Sequence, residues 1–233
     1  MIISHICTAS IVSIVAGLDR TAAFQLMISR PIVVAPLTGW LLDTPLVGLE
    51  VGLLVELLWL CFLPVGASIP PDDTQVSIAA TLLAGTGDYY IEAGSLSLVL
   101  VAVLSCCALG KIGQVFDGWA RRFNGQFIIA TQRAVAEGHL NHIGRNHLKG
   151  LLVFGFASWA SFVVIGFCGA LFLYLFFVVL KMGPPLEPVA GFLRILFPLV
   201  GAAAILANLK VRRSVTLYLA SFVSTLMLFW FFK

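Results

Sequence analysis

Long stretches of this chain carry almost no polar side chains. Residues 151–180 contain no side chain that is charged at neutral pH, whereas about 20 apolar residues are enough for a helix to cross ~30 Å of hydrocarbon. Apolar runs at roughly 189–208 and 214–232 are long enough to do the same. The runs lack the polar alternation of barrel strands, and backbone groups in lipid must be hydrogen-bonded internally. The pattern therefore predicts an all-α integral membrane protein with membrane-spanning helices over 150–233.

The apolar runs of region 1–110 are shorter and are interrupted by glycine, proline and acidic residues. Such interrupted runs favour broken or re-entrant helices, which are tolerated at membrane depth only where they line a cavity or are buried in protein. The chain becomes apolar again from Gln75 to Gly110, with a break expected near residues 85–89. We expect a polytopic helical bundle whose N-terminal half contains discontinuous helices, and we place the transport site there.

Residues 111–149 form a basic, amphipathic segment. Its charged side chains are six cationic residues and two acidic residues: Lys111, Arg121, Arg122, Arg133, Arg145, Lys149, Asp117 and Glu137. Apolar residues recur within it at spacings of three and four, and the positive-inside rule assigns it to the cytoplasm. We expect this segment to lie along the inner membrane surface or against a partner rather than to cross the membrane, with Arg121, Arg122 and Arg133 as candidate docking residues.

The composition agrees with a membrane location. Hydrophobic residues make up 60% of the 233 positions, charged residues make up 11%, and the mean hydropathy is +1.04. Soluble domains carry about 25% charged residues. The net charge of +3 resides in loops beside apolar segments, which does not indicate a nucleic-acid partner. The five cysteines have no metal-site or disulfide spacing, and the spacing of His139, His142 and His147 is more typical of solvated surface histidines than of a metal site, so we predict no metal and no cofactor.

Glu56 is the most informative single residue, because apolar side chains surround it from Val51 to Leu63. A charge at the centre of a membrane helix costs about 2.5–3.5 kcal/mol, which favours a ligand contact, a proton site or one half of a buried pair. A structural hydrogen bond to a neighbouring helix is the alternative. Trp59 lies on the same helix face, and a carboxylate beside an indole suits a neutral, polyhydroxylated ligand. Taken alone, Trp59 is more typical of packing.

Two adjacent aspartates follow a pair of prolines. Asp72 and Gln75 have the spacing of a capping box, which predicts a helix beginning near Thr74. One aspartate is enough to cap the helix, so the other, Asp73 or Asp72, is available for ligand hydroxyl groups if it faces the same cavity as Glu56. We expect the adjacent Asp19 and Arg20 to form a local ion pair or to reach the membrane interface. The sequence contains no nucleophile, phosphate-loop or acid–base motif, so we do not expect an enzyme.

An ordered set of short signals carries a family resemblance: Gly17-Leu-Asp19, Phe24-Gln25, Arg30-Pro31, Leu37-Thr-Gly39, Asp43, Gly48, Gly52, Glu56-Leu57, Gly66-Ala67 and Pro71-Asp72. This set resembles the IIC component of the mannose/sorbose family of the bacterial phosphotransferase system. The resemblance implies a sugar-translocating, multi-pass subunit of the inner membrane that works with a IID membrane subunit and soluble IIA and IIB proteins. It also implies that the sugar lies near Glu56 and the stretch from Gly66 to Asp72. We expect the assembly to be oligomeric.

Three functions remain open at this point. The leading hypothesis is a IIC permease in which Glu56, Asp72 or Asp73 and Trp59 bind a hexose at mid-membrane for phosphorylation by a IIB partner. The second is a non-transporting scaffold that docks phosphotransferase proteins on its arginines. The family often has asparagine at the position of Pro64, so the resemblance does not identify the sugar. The third is proton-coupled transport through Glu56, and it ranks last because no second buried ionisable group is evident.

Overall fold

A computed structural model describes residues 2–60, 69–87, 95–179, 181, 191–192, 195–196, 199–203, 206 and 214–231. Seven helices have both ends within these ranges: α1 (Ile2–Thr21), α2 (Pro31–Leu41), α3 (Pro45–Trp59), α4 (Asp73–Gly87), α5 (Ser95–Ala136), α6 (Asn141–Leu173) and α7 (Ser214–Phe231). A π-helical segment, Tyr174–Val179, directly continues α6. The described residues contain no strand, and the predicted all-α bundle is confirmed.

Helix α4 lies at the centre of the bundle and packs against α1, α2, α3, α5 and α6. Every side chain from Thr74 to Leu82 is buried. Several of these side chains are small or hydroxylated, which lets neighbouring helices approach closely. Their polar atoms are hydrogen-bonded: Thr74 donates to the carbonyl of Ser29 at 2.9 Å, and Ser77 donates to the carbonyl of Asp73 at 2.6 Å. Fifteen residues of α4 span only about 22 Å, too little to cross a bilayer alone.

Helices α2 and α3 form a short antiparallel hairpin. The close approaches pair Gly39 with Gly48 and Pro31 with Gly52, so positions rise along one helix as they fall along the other. The two helices have 11 and 15 residues, fewer than the roughly 20 needed for a span. The hairpin therefore has the discontinuous form predicted for the N-terminal half.

Helices α5 and α6 form a second and much longer antiparallel hairpin. Among the described residues, three helical segments are long and apolar enough to cross a membrane, and they lie in α1, in α5, and in α6 with its π-helical extension. Helix α5 has 42 residues and is therefore about 63 Å long. Near the tip, the amide of Asn124 donates to the carbonyl of Gly150 at 3.1 Å, and Asn146 donates to Thr131 at 2.9 Å.

The basic segment 111–149 forms the tip of this hairpin and is not a separate surface helix. Helix α5 continues without interruption through residue 110, and α6 continues through residue 149. The change from apolar to basic side chains shows where the helix leaves the apolar environment. It does not end the helix, because helix termination depends on residues that break the backbone hydrogen bonding. Because no proline occurs between residues 95 and 136, the chain stays helical across the predicted boundary.

The C-terminal spans are described in part. Helix α7 covers most of the predicted span 214–232, and all its described side chains are exposed. Half of the predicted span at 189–208 is described, and the described residues are helical. The break predicted near 85–89 agrees with α4 ending at Gly87 and α5 beginning at Ser95.

The α2–α3 hairpin depends on glycine at the contact. A methyl group at Gly48 would lie 2.3 Å from the backbone oxygen of Ala35, which cannot move without separating the helices. We expect Gly48→Ala to destabilise the protein by about 1–3 kcal/mol. Thermal unfolding in one detergent measures the effect, with Gly166→Ala in α6 as the control, because nothing lies within 4 Å of a methyl group there. Equal melting temperatures for the two variants would contradict this account.

Candidate functional site

Five charged side chains meet near the N-terminal end of α4. They come from α1, from the start of α2, from α3 and from the start of α4, and they are Arg20, Arg30, Glu56, Asp72 and Asp73. Their exposed side-chain fractions range from 10% for Asp72 to 30% for Arg30. Charges this poorly hydrated are stable only when they are paired, so the pairing determines the geometry of the cluster.

Arg20 holds the end of α1 against the start of α4. Its guanidinium forms an ion pair with Asp72, lies 3.2 Å from a carboxylate oxygen of Asp73, and donates to the carbonyl of Pro71 at 2.9 Å. The expected local pair between Asp19 and Arg20 is therefore wrong. Neighbouring residues on a helix point in different directions, and Arg20 points toward α4.

Asp72 caps α4 as predicted. One of its carboxylate oxygens accepts a hydrogen bond from the backbone N–H of Gln75 at 3.1 Å. Its own backbone N–H donates to the carbonyl of Gly110 at 3.0 Å, which fixes the start of α4 against α5. Gly113 makes room for this arrangement, since a methyl group there would lie 2.2 Å from Cβ of Asp72.

Asp19 instead stabilises the loop between α1 and α2. Its buried carboxylate accepts hydrogen bonds from the backbone N–H groups of Leu26 at 2.7 Å and Ser29 at 3.1 Å. Three residues of this loop have left-handed backbone conformations, which cost roughly 1–2 kcal/mol each for non-glycine residues: Phe24, Gln25 and Met27. The two hydrogen bonds to Asp19 offset part of this cost and hold the loop that leads to Arg30.

Glu56 is paired with Arg30. The guanidinium of Arg30 lies 2.5 Å from one carboxylate oxygen, and the backbone N–H of Ile32 donates to the other at 3.3 Å. The N–H groups in the first turn of a helix have no partner within it and carry partial positive charge, so the start of α2 suits a carboxylate. Of the roles considered for Glu56, the structure favours one half of a buried ion pair. Ser29, the residue before Arg30, accepts a hydrogen bond at 2.9 Å from Thr74, the residue after Asp73, which brings the ion pair of α3 next to the start of α4.

Trp59 is half-buried and packs against the core one turn after Glu56. A methyl group at Gly110 would lie 3.4 Å from the indole atom Cζ2 of Trp59 and 3.7 Å from Cβ of Pro71. The indole therefore lies near the segment that leads into Asp72. Gly66 and Pro64 lie outside the described residues.

The three arginines predicted to dock a partner are exposed on α5. Arg121 pairs with Asp117 one turn away at 3.0 Å, and Arg122 donates to the carbonyl of Gly118 at 3.1 Å. Arg133 is exposed nearer the tip of the hairpin. The rings of His139 and His142 lie 6.0 Å apart, but no group of three or more metal-binding side chains converges in the part of the chain that the structure describes.

The sequence reasoning missed the two arginines as members of the site. Arg20 and Arg30 each end or precede an apolar run, where a flanking cation usually indicates only the membrane interface. It also missed Ser13, whose hydroxyl donates to the side chain of the buried Gln75 at 2.7 Å, with Gln75 donating back to the carbonyl of Ser13 at 3.2 Å. A polar residue within an apolar helix is the signal that indicates such a contact.

The bundle of spanning and discontinuous helices around a buried charge cluster defines the class as a polytopic membrane protein with the architecture of a transport subunit. Residues 3–230 match the family model described as the sorbose-specific IIC component of the phosphotransferase system, and the chain belongs to this family. It is a multi-pass protein of the bacterial inner membrane.

Characterised relatives agree with this assignment. The mannose-specific EIIC component of Escherichia coli K12 is 28% identical over 143 residues, which is 61% of this chain and 50% of that protein. The mannose-specific EIIC component of Shigella flexneri has the same identity and coverage. The alignment thus spans about half the length of these relatives.

Two solved structures share the fold. One, titled only as a membrane protein, has a TM-score of 0.70 at 21% identity and covers 95% of this chain and 85% of its own. The other, a cryo-EM structure of the mannose transporter ManYZ with microcin E492, has a TM-score of 0.59 at 20% identity with the same coverage. Identities this low indicate a common fold only.

The ion pairs of Arg20 with Asp72 and Asp73 are expected to stabilise the folded protein. Removing one partner of a buried ion pair leaves the other charge uncompensated, which costs about 3–5 kcal/mol. We expect Arg20→Gln to lower the melting temperature in detergent strongly, since Asp72 and Asp73 lose their partner. Arg122→Gln is the matched control, because Arg122 is exposed and donates to the carbonyl of Gly118 on its own helix, and changes at exposed positions usually alter stability by less than about 0.5 kcal/mol. Similar losses in the two variants would show that the Arg20 pairs have no special role.

Proposed function

We propose that this chain is the sugar-translocating IIC subunit of a mannose/sorbose-type phosphotransferase system and that it binds a hexose-type sugar at the charge cluster. The observation that carries the proposal is the convergence of Glu56, Asp72 and Asp73 around Arg20 and Arg30. These acids lie on two discontinuous helices, which is where transporter substrate sites are usually found.

The chemistry of the cluster suits a neutral sugar. A carboxylate has about four lone-pair sites and a guanidinium has five N–H donors, so the ion pairs leave acceptors and donors for hydroxyl groups. Three acidic and two basic side chains nearly balance, and an anionic ligand would meet an excess of negative charge. Trp59, near Pro71, offers an apolar surface against which the C–H face of a sugar ring can pack.

The chain would act as a non-catalytic translocation subunit. We infer that a IID membrane subunit completes the assembly and that soluble IIA and IIB proteins carry out phosphoryl transfer. Arg121, Arg122 and Arg133 would attract an acidic surface of the IIB protein, since they lie exposed on a hairpin tip with few acidic neighbours. The scaffold hypothesis retains this docking and omits the sugar site, so the two hypotheses differ at Glu56.

Uptake by paired variants separates a binding role of Glu56 from a structural one. We expect Glu56→Gln to abolish uptake of radiolabelled mannose, glucose, fructose, sorbose or N-acetylglucosamine, whichever the wild type transports with its partners. In Glu56→Gln alone, Arg30 also loses its charged partner, so part of the loss could reflect folding. The double variant Arg30→Gln/Glu56→Gln removes both charges, and we expect it to regain stability but not uptake.

The control for uptake is Glu137→Gln, which changes an exposed carboxylate near the hairpin tip. All variants are compared at equal membrane levels and with melting temperatures measured in detergent. Uptake restored in the double variant would reduce Glu56 to a structural residue. No uptake of any sugar by the wild type with folded partners would favour the scaffold.

Docking has its own test. We expect the triple variant Arg121→Gln/Arg122→Gln/Arg133→Gln to weaken binding of purified IIB protein to vesicles that contain this subunit, and wild-type binding to weaken with added salt, because exposed charges are screened. Lys181→Gln serves as the control, because it changes an exposed cation that follows the spanning segment Asn141–Val179 at the end away from the hairpin tip. Binding that is indifferent to both the triple change and salt would locate the docking surface elsewhere.

A further inference from the structure

Two cavities adjoin along the facing sides of α5 and α6. The outer cavity, of about 390 Å³, lies in the hairpin tip and reaches Ala22 just beyond α1. The inner cavity, of about 20 Å³, lies beside Arg20 and Asp72. Thr21 lines the inner cavity and its neighbour Ala22 lines the outer one, while Phe154 lines both. The side chain of Phe154 therefore lies at the boundary between the hairpin tip and the charge cluster.

Most of the wall surface of the outer cavity is apolar, but polar side chains recur along both cavities. We call the two cavities together the polar groove after these side chains, which include Asn124, Gln132, Asn146, His147 and Ser158. Polar side chains within membrane helices usually face the bundle interior or a water-filled cavity. Within the described chain, the buried side-chain oxygen of Asn124 has no hydrogen-bond partner, so it can accept a hydrogen bond from a polar solute.

The groove follows one face of α6 down to Asp72. The α6 residues that line the groove are at positions 143, 146, 147, 150, 151, 154, 157 and 158. Their spacings of three and four place them on one helical face. One turn further, the hydroxyl of Ser161 lies 3.5 Å from a carboxylate oxygen of Asp72. A solute that moves along this face thus arrives at the charge cluster.

Passage beyond Phe154 is closed in this conformation. An inner cavity of about 20 Å³ has room for roughly one water molecule and none for a monosaccharide. The outer cavity is some twenty times larger than the inner one. Rotation or displacement of a single aromatic ring is the smallest change that would join them, since Gly17, Gly113 and Ala157 elsewhere around the inner cavity have little or no side chain to move.

We propose that the polar groove is the route between the cytoplasmic side and Asp72, and that Phe154 is its gate. The cytoplasmic direction follows from the cationic residues of the hairpin tip. That the solute is a sugar rests on the proposed function, whereas the route and its gate rest on the cavities alone. Residues of the groove outside the charge cluster would then influence release of the solute rather than its binding.

Thiol labelling tests the route directly. The variant Ser158→Cys, in a chain whose five native cysteines are replaced by alanine or serine, places a thiol at the inner cavity. A charged, membrane-impermeant maleimide is added to inside-out or right-side-out vesicles, and we expect labelling from the cytoplasmic face. Adding Phe154→Ala should raise the labelling rate about tenfold, which corresponds to ~1.4 kcal/mol in the free energy of opening.

Phe156→Ala is the matched control, because Phe156 lies on the same helix, is 55% exposed and lines neither cavity. It should leave the labelling rate unchanged, and Phe154→Trp should lower the rate relative to Phe156→Trp. If Phe154→Ala does not fold, the comparison of Phe154→Trp with Phe156→Trp tests the proposal instead. Equal rates in the Phe154 and Phe156 variants, or labelling from the opposite face only, would overturn the proposal.

Sugar uptake in the same vesicles keeps the two proposals separate. Labelling that depends on Phe154, without uptake of any sugar, would refute the proposed transport function and retain the route. Uptake with labelling that is indifferent to Phe154 would retain the transport function and refute the route.

Discussion

The pairing of Arg20 with Asp72 and Asp73 is the constraint on which the centre of this bundle depends. Helix α4 is short and buried, so its N-terminal end lies inside the protein, where water does not hydrate the free N–H groups. Asp72 satisfies one of these groups, and its negative charge is favourable beside the positive end of the helix. That charge is tolerated because Arg20 neutralises it. The position of α1 relative to α4 therefore follows from the need to compensate one buried capping residue.

The same requirement extends to the rest of the cluster. Glu56 on α3 is compensated by Arg30, and Arg30 is held in place by a loop whose left-handed residues are stabilised through Asp19. The hydrogen bond from Thr74 to the carbonyl of Ser29 holds the two ion-paired groups next to each other. Substitutions at neighbouring charges of this kind are not expected to be additive.

Features that depend on residues close together in the sequence could be predicted, whereas ion pairs between residues far apart along the chain could not. The membrane class, the short helices before residue 88 and the cap at Asp72 each follow from patterns within a few residues. Arg20 and Asp72 are 52 positions apart, and Arg30 and Glu56 are 26 apart, and hydrophobic periodicity carries no information about such contacts. The expected Asp19–Arg20 pair relied on adjacency alone, although adjacent helical residues do not face each other. The polarity change at residue 110 likewise indicated a new environment and not a helix end.

The ion pair with Arg30 restricts the roles that Glu56 can have in transport. The carboxylate of Glu56 is engaged by the guanidinium of Arg30 and by the backbone N–H of Ile32, which is the arrangement of a structural ion pair rather than of a free proton acceptor. Buried Asp19 and Asp72 supply the further ionisable groups that the sequence did not reveal, yet each is already engaged, Asp19 with backbone N–H groups and Asp72 with Arg20. An engaged carboxylate still accepts hydrogen bonds from hydroxyl groups without changing its charge. The proposed binding of a neutral sugar would therefore leave the charge balance of the cluster undisturbed.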